Sequence, residues 1–515
     1  MKNNGMKSNM TSTSITRRSI FKGVGAAMFL AAMPWDVRKA LARQQFDLIV
    51  IGGGTAGMPT AISAADRGAQ VLIIEKASVL GGTMYLSEGQ MAGANTVFQK
   101  RLGIDDSPDI FYDDIMRINK YTSDPALTRI WADNGGATIN WLAEHGFTIR
   151  DGQPVLGRSH DFYRTARYLW GPENAMSIFK VMEPLLSQHV KEGNITVLLG
   201  AGAVDLIKDE MGAVRGVVTE DSDGKRSDFD GLNVVISSGG CAANPKMFES
   251  IHHVPLYGQN AYPFSQGAGL TLGLSAGGYL RGAEKYVSGM GSVVADSKIP
   301  SPRTVFLSLH PEIRPPWEVF VNACGERFMQ EDHPSIGHRE RALTLQPGHR
   351  FWVIFDQKIL EQAPSLVLFP NWSRDKLLEA FNTHPMFTRA PSLSELGVVT
   401  GIHPANLGRS ISKYNSAIEK REPDQFSRVH RPLAVSSPPF YAIQSQGTTI
   451  VSFAGLAVNK DLQVITEENE PVSNLYAAGE VLGAGSTSGK AYTGGSTVTP
   501  ALTFGRLLGQ KIIRL

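Results

Sequence analysis

The stretch Asp47 to Gly57, DLIVIGGGTAG, with Glu75 closing the next apolar run behind it, constrains this chain more than any other feature. An apolar strand over Leu48 to Ile51 enters a glycine turn, a helix is expected over Met58 to Arg67, and a second apolar strand over Val71 to Ile74 ends at Glu75. Each residue type has a physical task. Gly52 permits the turn, Gly54 lets backbone approach a pyrophosphate at the helix N-terminus, and Gly57 lets helix and strand pack closely. Glu75 is placed to hydrogen-bond a ribose diol, with Ala56 and Lys76 flanking the same contacts. A bare glycine turn would account for the glycines but not for the strand, helix and acid around them. The stretch predicts a dinucleotide site.

Residues 1–42 read as an export signal. Thr16 to Lys22, TRRSIFK, matches a twin-arginine pattern, an apolar run follows over Gly23 to Met33, and Ala40-Leu41-Ala42 offers a small-residue cleavage site. A basic tail is the bland alternative, but it does not explain the three parts in order. The run is too short for a stable membrane span. The expectation is therefore a periplasmic protein exported already folded. The formal charge of +2 is misleading, because residues 1–42 hold seven Lys or Arg and one Asp, which leaves −4 for the rest. Nothing in that balance points to nucleic acid. Cys241 and Cys324 are the two cysteines, and they form no CxxC, haem-attachment or iron-sulfur spacing. No His or Cys cluster has metal-ligand spacing, so no metal is expected.

From Gln44 to about Gly278 apolar strands alternate with helical patterns, as in a doubly wound α/β sheet. Asn194 to Leu199 reads as a strand, Val204 to Ile207 with Val214 to Val218 as a hairpin, and Leu232 to Ser237 as a buried strand. Prolines and aromatics thicken over 284–439, where strands and helices mix; this predicts an inserted α+β domain. Alternation returns from Phe440 and runs to a final helix near Ala501 to Ile513. The expected organisation is 1–42 signal, 43–283 and 440–515 nucleotide-binding, and 284–439 inserted. Leu199 to Asp205, LGAGAVD, lacks the third glycine of a second dinucleotide turn and is read as structure.

Further segments carry a family resemblance. Leu475 to Glu480 (LYAAGE), Gly494-Gly495-Ser496 and Pro500 to Arg506 (PALTFGR) resemble the C-terminal flavin segment of the fumarate reductase and 3-ketosteroid dehydrogenase flavoprotein superfamily. Gly81-Gly82-Thr83, Gly239-Gly240-Cys241, Cys324 to Phe328 and Pro439 to Ala442 match as well, so the resemblance spans nearly all of the chain after the signal. It implies a Rossmann-like FAD-binding domain with an inserted cap that shapes the substrate site. It also implies an FAD-dependent oxidoreductase acting on CH–CH bonds, with hydride transfer at flavin N5. The implied FAD contacts are Gly52, Gly54, Ala56, Gly57, Glu75, Lys76, Gly82, Thr83, Ser87, Gly89, Ala203, Gly239, Gly479, Glu480, Gly495, Ser496, Thr497 and Val498. Glu480 would hold the ribityl chain, and the helix starting near Thr497 would aim its positive end at the flavin C2 carbonyl and N1. Covalently flavinylated relatives carry a histidine shortly after the GGT-like turn; Gly82 to Ser87 has none, which implies non-covalent FAD. Gln90 stands where relatives have glycine, and Ser265-Gln266-Gly267 replaces Gly-Asp-Gly.

Fumarate reductases of this superfamily clamp a dicarboxylate with histidine and arginine. Here Val451 stands in place of the histidine and Tyr492 in place of the carboxylate-binding arginine, while Arg339 or Arg341 would supply the catalytic arginine only across a gap. Losing two ionic clamps disfavours a small dicarboxylate. Residues 492–505 instead resemble the 3-ketosteroid dehydrogenase end, where a tyrosine holds the substrate ketone. The resemblance therefore implies that Tyr492 binds a carbonyl oxygen and that a second base removes the adjacent proton. Tyr286 fits the place of that base; Tyr168, Tyr85, His333 and His338 are further candidates, and Glu331 and Asp332 fit a salt bridge better than chemistry. The expected activity is a ketosteroid-dehydrogenase-like desaturation or an alkene reduction, on a small molecule with an activated carbonyl. With no haem or iron-sulfur motif in the chain, electrons would pass to or from a quinone or cytochrome partner. The alternatives are a fumarate-reductase-like enoate reductase and a flavin electron-transfer subunit.

Overall fold

The computed structural model describes residues 44–158, 160–369 and 372–512. The expected twin-arginine signal lies outside the described residues. Leu48–Ile51 (β1) and Val71–Glu75 (β2) pair in parallel, Ile51 opposite Ile74, and Gly57–Ala65 (α1) connects them. Every residue of these three elements is buried. That is what unbroken Leu/Ile/Val runs specify, because a parallel sheet is covered on both faces and needs a crossover helix. Ile195–Leu199 (β3), Val234–Ile236 (β4), Gln463–Ile465 (β5) and Pro471–Ala477 (β6) complete a six-stranded sheet in the order β5-β6-β4-β1-β2-β3. All its pairings are parallel except that of the edge strand β5. The chain moves outward from β1 in one direction through β2 and β3 and in the other through β4 and β6. The glycine turn after β1 therefore sits at the point where the strand order reverses, which is where such sheets bind ligands.

The last helix, Val498–Ile512 (α2), closes on α1. Its Gly505 and Gly509 lie so close that an added Cβ would stand 2.2 Å from the Ala56 carbonyl oxygen and 2.3 Å from that of Thr60. Backbone-to-backbone contact thus ties residues 498–512 to the dinucleotide turn. Beside this sheet, Ala201–Lys208 and Val214–Asp221 form the expected hairpin, with Arg226–Gly231 and Gln45–Phe46 completing four strands. The Gly200-Ala201-Gly202 stretch enters that hairpin, Ala201 opposite Asp221, so it is strand and not a second dinucleotide turn.

These elements belong to one compact unit made of residues 44–255, Ala261–Tyr286 and 450–512; the other comprises Leu256–Asn260 and Val287–Thr449. Three segments thus fall outside the ranges expected from sequence, among them residues 284–286, expected in the inserted part but belonging to the first unit. Leu256–Asn260 was expected with the nucleotide-binding part, and so was the strand Phe440–Thr449. The latter pairs over seven residues with Arg350–Asp356 and also with Gly289–Val294 and Phe387–Ala390, which places it at the centre of the second unit's mixed sheet. An apolar strand carries no mark of the sheet it will join, so alternation alone misplaced it.

The second unit is built on a core that includes Phe320, Phe351, Trp352 and Phe355. Within it Arg327 donates to Glu331 at 2.8 and 2.6 Å and pairs with Asp424 at 2.8 Å, while Arg428 stands 3.6 Å from Glu331. Asp332 accepts the Val429 and His430 backbone N–H groups at 2.8 and 2.7 Å. Both acids are engaged in holding loops. His333 stacks on His338 with ring centroids 4.1 Å apart.

Candidate active site

At the dinucleotide turn, Glu75 does more than wait for a sugar. Its two carboxylate oxygens accept the N–H groups of Gly53 and Ala77 at 2.9 and 2.8 Å, so the acid at the end of β2 fastens the turn after β1. Burial raises its pKa despite these bonds. Gly57 packs so tightly that a Cβ would lie 1.9 Å from the Gly52 carbonyl oxygen. Gly54 is the opposite case. Its nearest neighbour would be the Gly82 Cα at 3.9 Å, and no side chain caps the first turn of α1. Thr83 faces Thr55 across the same gap, their hydroxyls 3.5 Å apart, and Gly479 abuts Ala56. Open backbone beside an uncapped helix N-terminus fits a pyrophosphate. Lys76 is exposed, with its stem 3.4 Å from the position of a Cβ on Gly202; the adjoining Ala203 lies buried in the hairpin opposite Thr219.

Toward the other end, Glu480 follows β6 and stands against Gly239 and Gly240. Its Oε1 accepts from the Ser452 N–H at 3.1 Å and hydroxyl at 3.4 Å, and Ser452 in turn accepts the Cys241 N–H at 3.2 Å. Burial pushes the Glu480 carboxyl up to about 7, against the lowering effect of the Ser452 contacts. A carboxylate with one oxygen anchored and the other beside a glycine turn fits a polyhydroxyl chain such as ribityl. The raised pKa has a testable consequence in the apoprotein. An acid that binds its proton more tightly folded than unfolded adds stability fully below the unfolded value near 4.5, and loses it as pH rises through 7. The apoprotein should lose up to about 3 kcal/mol of unfolding free energy between pH 4.5 and 8 on this account. Glu480→Gln should flatten that dependence in urea titrations, whereas an unchanged slope would place the titrating group elsewhere.

The segment 492–498 forms the turn that the resemblance implies at the flavin's reactive end. Gly495 has φ +78°, and a Cβ there would strike the Ala92 N at 2.4 Å. Ser496 hydrogen-bonds the Ser488 hydroxyl at 2.7 Å, its carbonyl accepts from Thr487 at 2.7 Å, and Thr499 accepts the Ala92 N–H at 2.9 Å. Tyr163 donates its hydroxyl to the Gly494 carbonyl, and Asp161 and Thr493 form a parallel bridge. The turn is therefore held from two sides. A small recess opens here, lined by Ser87, Gln90, His160, Tyr492, Thr493 and the turn 495–498. Five of the implied flavin contacts, Ser87, Gly495, Ser496, Thr497 and Val498, thus share one recess with Tyr492. Ser87 also accepts the Gly89 N–H at 3.0 Å. Gln90, a departure from the superfamily pattern, receives the buried Tyr168 hydroxyl on its amide oxygen. Tyr168 is thereby a support for the recess wall.

Tyr492 and Tyr286 both pack against one ring, although Tyr286 is not among the described residues lining the recess. Phe453 stands 5.2 Å from Tyr492 and 5.7 Å from Tyr286, edge-on to both. Tyr286 also meets Phe248 and His252 at 5.2 and 5.3 Å. Arg339 lies in the other unit, buried on the helix Ile336–Thr344 and donating to the Leu309 carbonyl. Tyr85 donates to the Leu80 carbonyl at 2.9 Å and so holds its own turn. Sequence reasoning missed His160, Tyr163, Ser452 and Phe453. Three of these are single polar or aromatic residues in loops, with no periodicity or spacing to mark them; Ser452 is recognisable only once Glu480 is known to stand beside it.

Comparison with known proteins agrees with this construction. Residues 47–498 match the FAD binding domain family. The chain is 26% identical over 476 residues to the fumarate reductase (cytochrome) of Shewanella frigidimarina, covering 90% of this chain and 76% of that one. It is 24% identical to the vinyl phenol reductase of Lactiplantibacillus plantarum, covering 84% and 89%. Among solved structures, the 3-ketosteroid delta1-dehydrogenase from Sterolibacterium denitrificans aligns with a TM-score of 0.69 at 18% identity, covering 91% and 99%. The chain belongs to the FAD binding domain family and is an FAD-dependent oxidoreductase of the class that acts on CH–CH bonds.

Proposed function

We propose that the enzyme interconverts CH–CH and C=C beside a carbonyl on an apolar, cyclic or aromatic substrate, and that Tyr492 binds the carbonyl oxygen. One observation carries this reading: Tyr492 lines the recess with five implied flavin contacts, and no Arg or Lys is among the described residues lining it. A phenol recognises a neutral oxygen, whereas a dicarboxylate calls for cations. FAD, when bound, supplies the two-electron acceptor or donor. The protein's own part is proton chemistry and charge placement. Tyr492 donates its hydroxyl to the carbonyl oxygen and stabilises the negative charge that gathers there as the adjacent C–H is lost. Tyr286, across Phe453, is the candidate that takes or returns that proton.

The substrate of the vinyl phenol reductase, as its name states, is a styrene-type phenol and not a dicarboxylate, which favours the same direction. Periplasmic residence after twin-arginine export, and exchange of electrons with a quinone or cytochrome, complete the proposal; they rest on Arg17-Arg18 with the run behind them and on the absence of haem and iron-sulfur motifs from the sequence. Turnover tests it. With reduced viologen as donor, cyclic enones should be consumed at least ten times faster than fumarate at equal concentration. Preference for fumarate would contradict the assignment.

A further inference from the structure

We propose that His160 is a catalytic residue that donates a hydrogen bond to the same substrate oxygen as Tyr492, so that two neutral donors converge on one carbonyl. The proposal rests on the ketone reading above and adds to it a residue that no part of the sequence pattern marked. Three observations place it. His160 lines the recess together with Tyr492 and the turn 495–498. Its ring centroid is 5.7 Å from that of Tyr492, with the planes 31° apart, and the Asp161 to Thr493 bridge holds the two segments side by side. Its Nδ1 is buried and has no hydrogen-bond partner among the described residues.

A packing histidine satisfies its buried nitrogen with a carbonyl or hydroxyl, because an unpaired polar atom is costly. Here none of the described residues supplies that partner, and the ring borders the recess that a ligand would enter. Burial drives the imidazole down to about 4, with Asp161 opposing, so the ring is neutral at neutral pH. A neutral imidazole retains one N–H, and donating it polarises a carbonyl without a formal charge in the site. His160 keeps its proton throughout; the bond to the oxygen strengthens as negative charge develops there. A neutral pair of donors also selects against carboxylates, which agrees with the cation-free lining.

The oxygen it meets has two sources, a substrate ketone or a carbonyl of the flavin ring, and the test separates them. Holoenzymes carrying His160→Gln and His160→Met, side chains of similar size that differ in their N–H donor, are compared with wild type on 2-cyclohexen-1-one, with flavin absorption and reduction potential measured in each. The expected result is a loss in kcat of about 10²-fold for the Met variant and of no more than about tenfold for the Gln variant, with flavin absorption and potential unchanged. Equal losses in both, or no loss in either, overturn the proposal, as does a shifted flavin potential that accounts for the slower rate. A wild-type enzyme inert toward every ketone and enone would instead overturn the functional reading, and this proposal with it.

Discussion

Tyr492→Phe is expected to lower kcat for a cyclic enone by about 10²- to 10³-fold while the holoenzyme keeps its full complement of FAD. The two halves of that outcome come from different atoms. The ring of Tyr492 packs against Phe453 and His160, and phenylalanine keeps both contacts. The turn behind it is held by backbone and by Ser488, Thr487 and Tyr163, none of which needs the Tyr492 hydroxyl. Phenylalanine at 492 therefore leaves these ring contacts and these bonds of the turn in place. A loss confined to kcat, with KM little changed, would mean that the bond is made chiefly as charge develops. If Tyr492→Phe loses FAD in proportion to activity, the hydroxyl serves the cofactor and not the substrate.

The second large effect is expected at the turn after β1, where two glycines three residues apart should fail in different ways. Gly57→Ala places a methyl 1.9 Å from the Gly52 carbonyl oxygen and 2.8 Å from the Ser237 hydroxyl. Neither can yield freely, because the Ser237 hydroxyl donates to the Ile51 and Gly52 carbonyls at 3.0 and 2.9 Å. The substitution should cost about 3 kcal/mol or more, in the range of overpacked cores and forced backbone shifts. Gly54→Ala meets nothing nearer than 3.9 Å and should fold with wild-type stability. Its methyl would nevertheless occupy the space left for the pyrophosphate, so FAD affinity should fall at least tenfold. Denaturant unfolding of the apoproteins and flavin titration of each distinguish the two; similar stability losses in both variants would refute the division of labour between these glycines.

Much of this was legible because the residues carry their reasons locally. A strand of Leu and Ile ending in glycines, then a helix, then an acid after a second strand, is a contiguous pattern with one physical solution. Even there the structure altered a detail, since Glu75 fastens Gly53 and Ala77 as well as being positioned for a ribose. Legibility ended where partners are distant in sequence. Glu480 and Ser452 meet across 28 positions, and Tyr163 reaches Gly494 across 331. His160 was invisible for the same reason: a single loop histidine is ordinary until its neighbours are known. The strand Phe440–Thr449 shows the complementary limit, because hydrophobic alternation reports burial and not the sheet in which it occurs.

The central claim is that replacing a carboxylate-binding cation by Tyr492 makes this a site for a neutral oxygen. Anaerobic titration of the oxidised flavin band of the purified holoenzyme tests it most directly, with phenols and cyclic ketones on one side and fumarate and succinate on the other. Saturable perturbation by the neutral ligands, with none from the dicarboxylates at tenfold higher concentration, is the predicted result. Saturation by fumarate or succinate with no response to any ketone or phenol would contradict it.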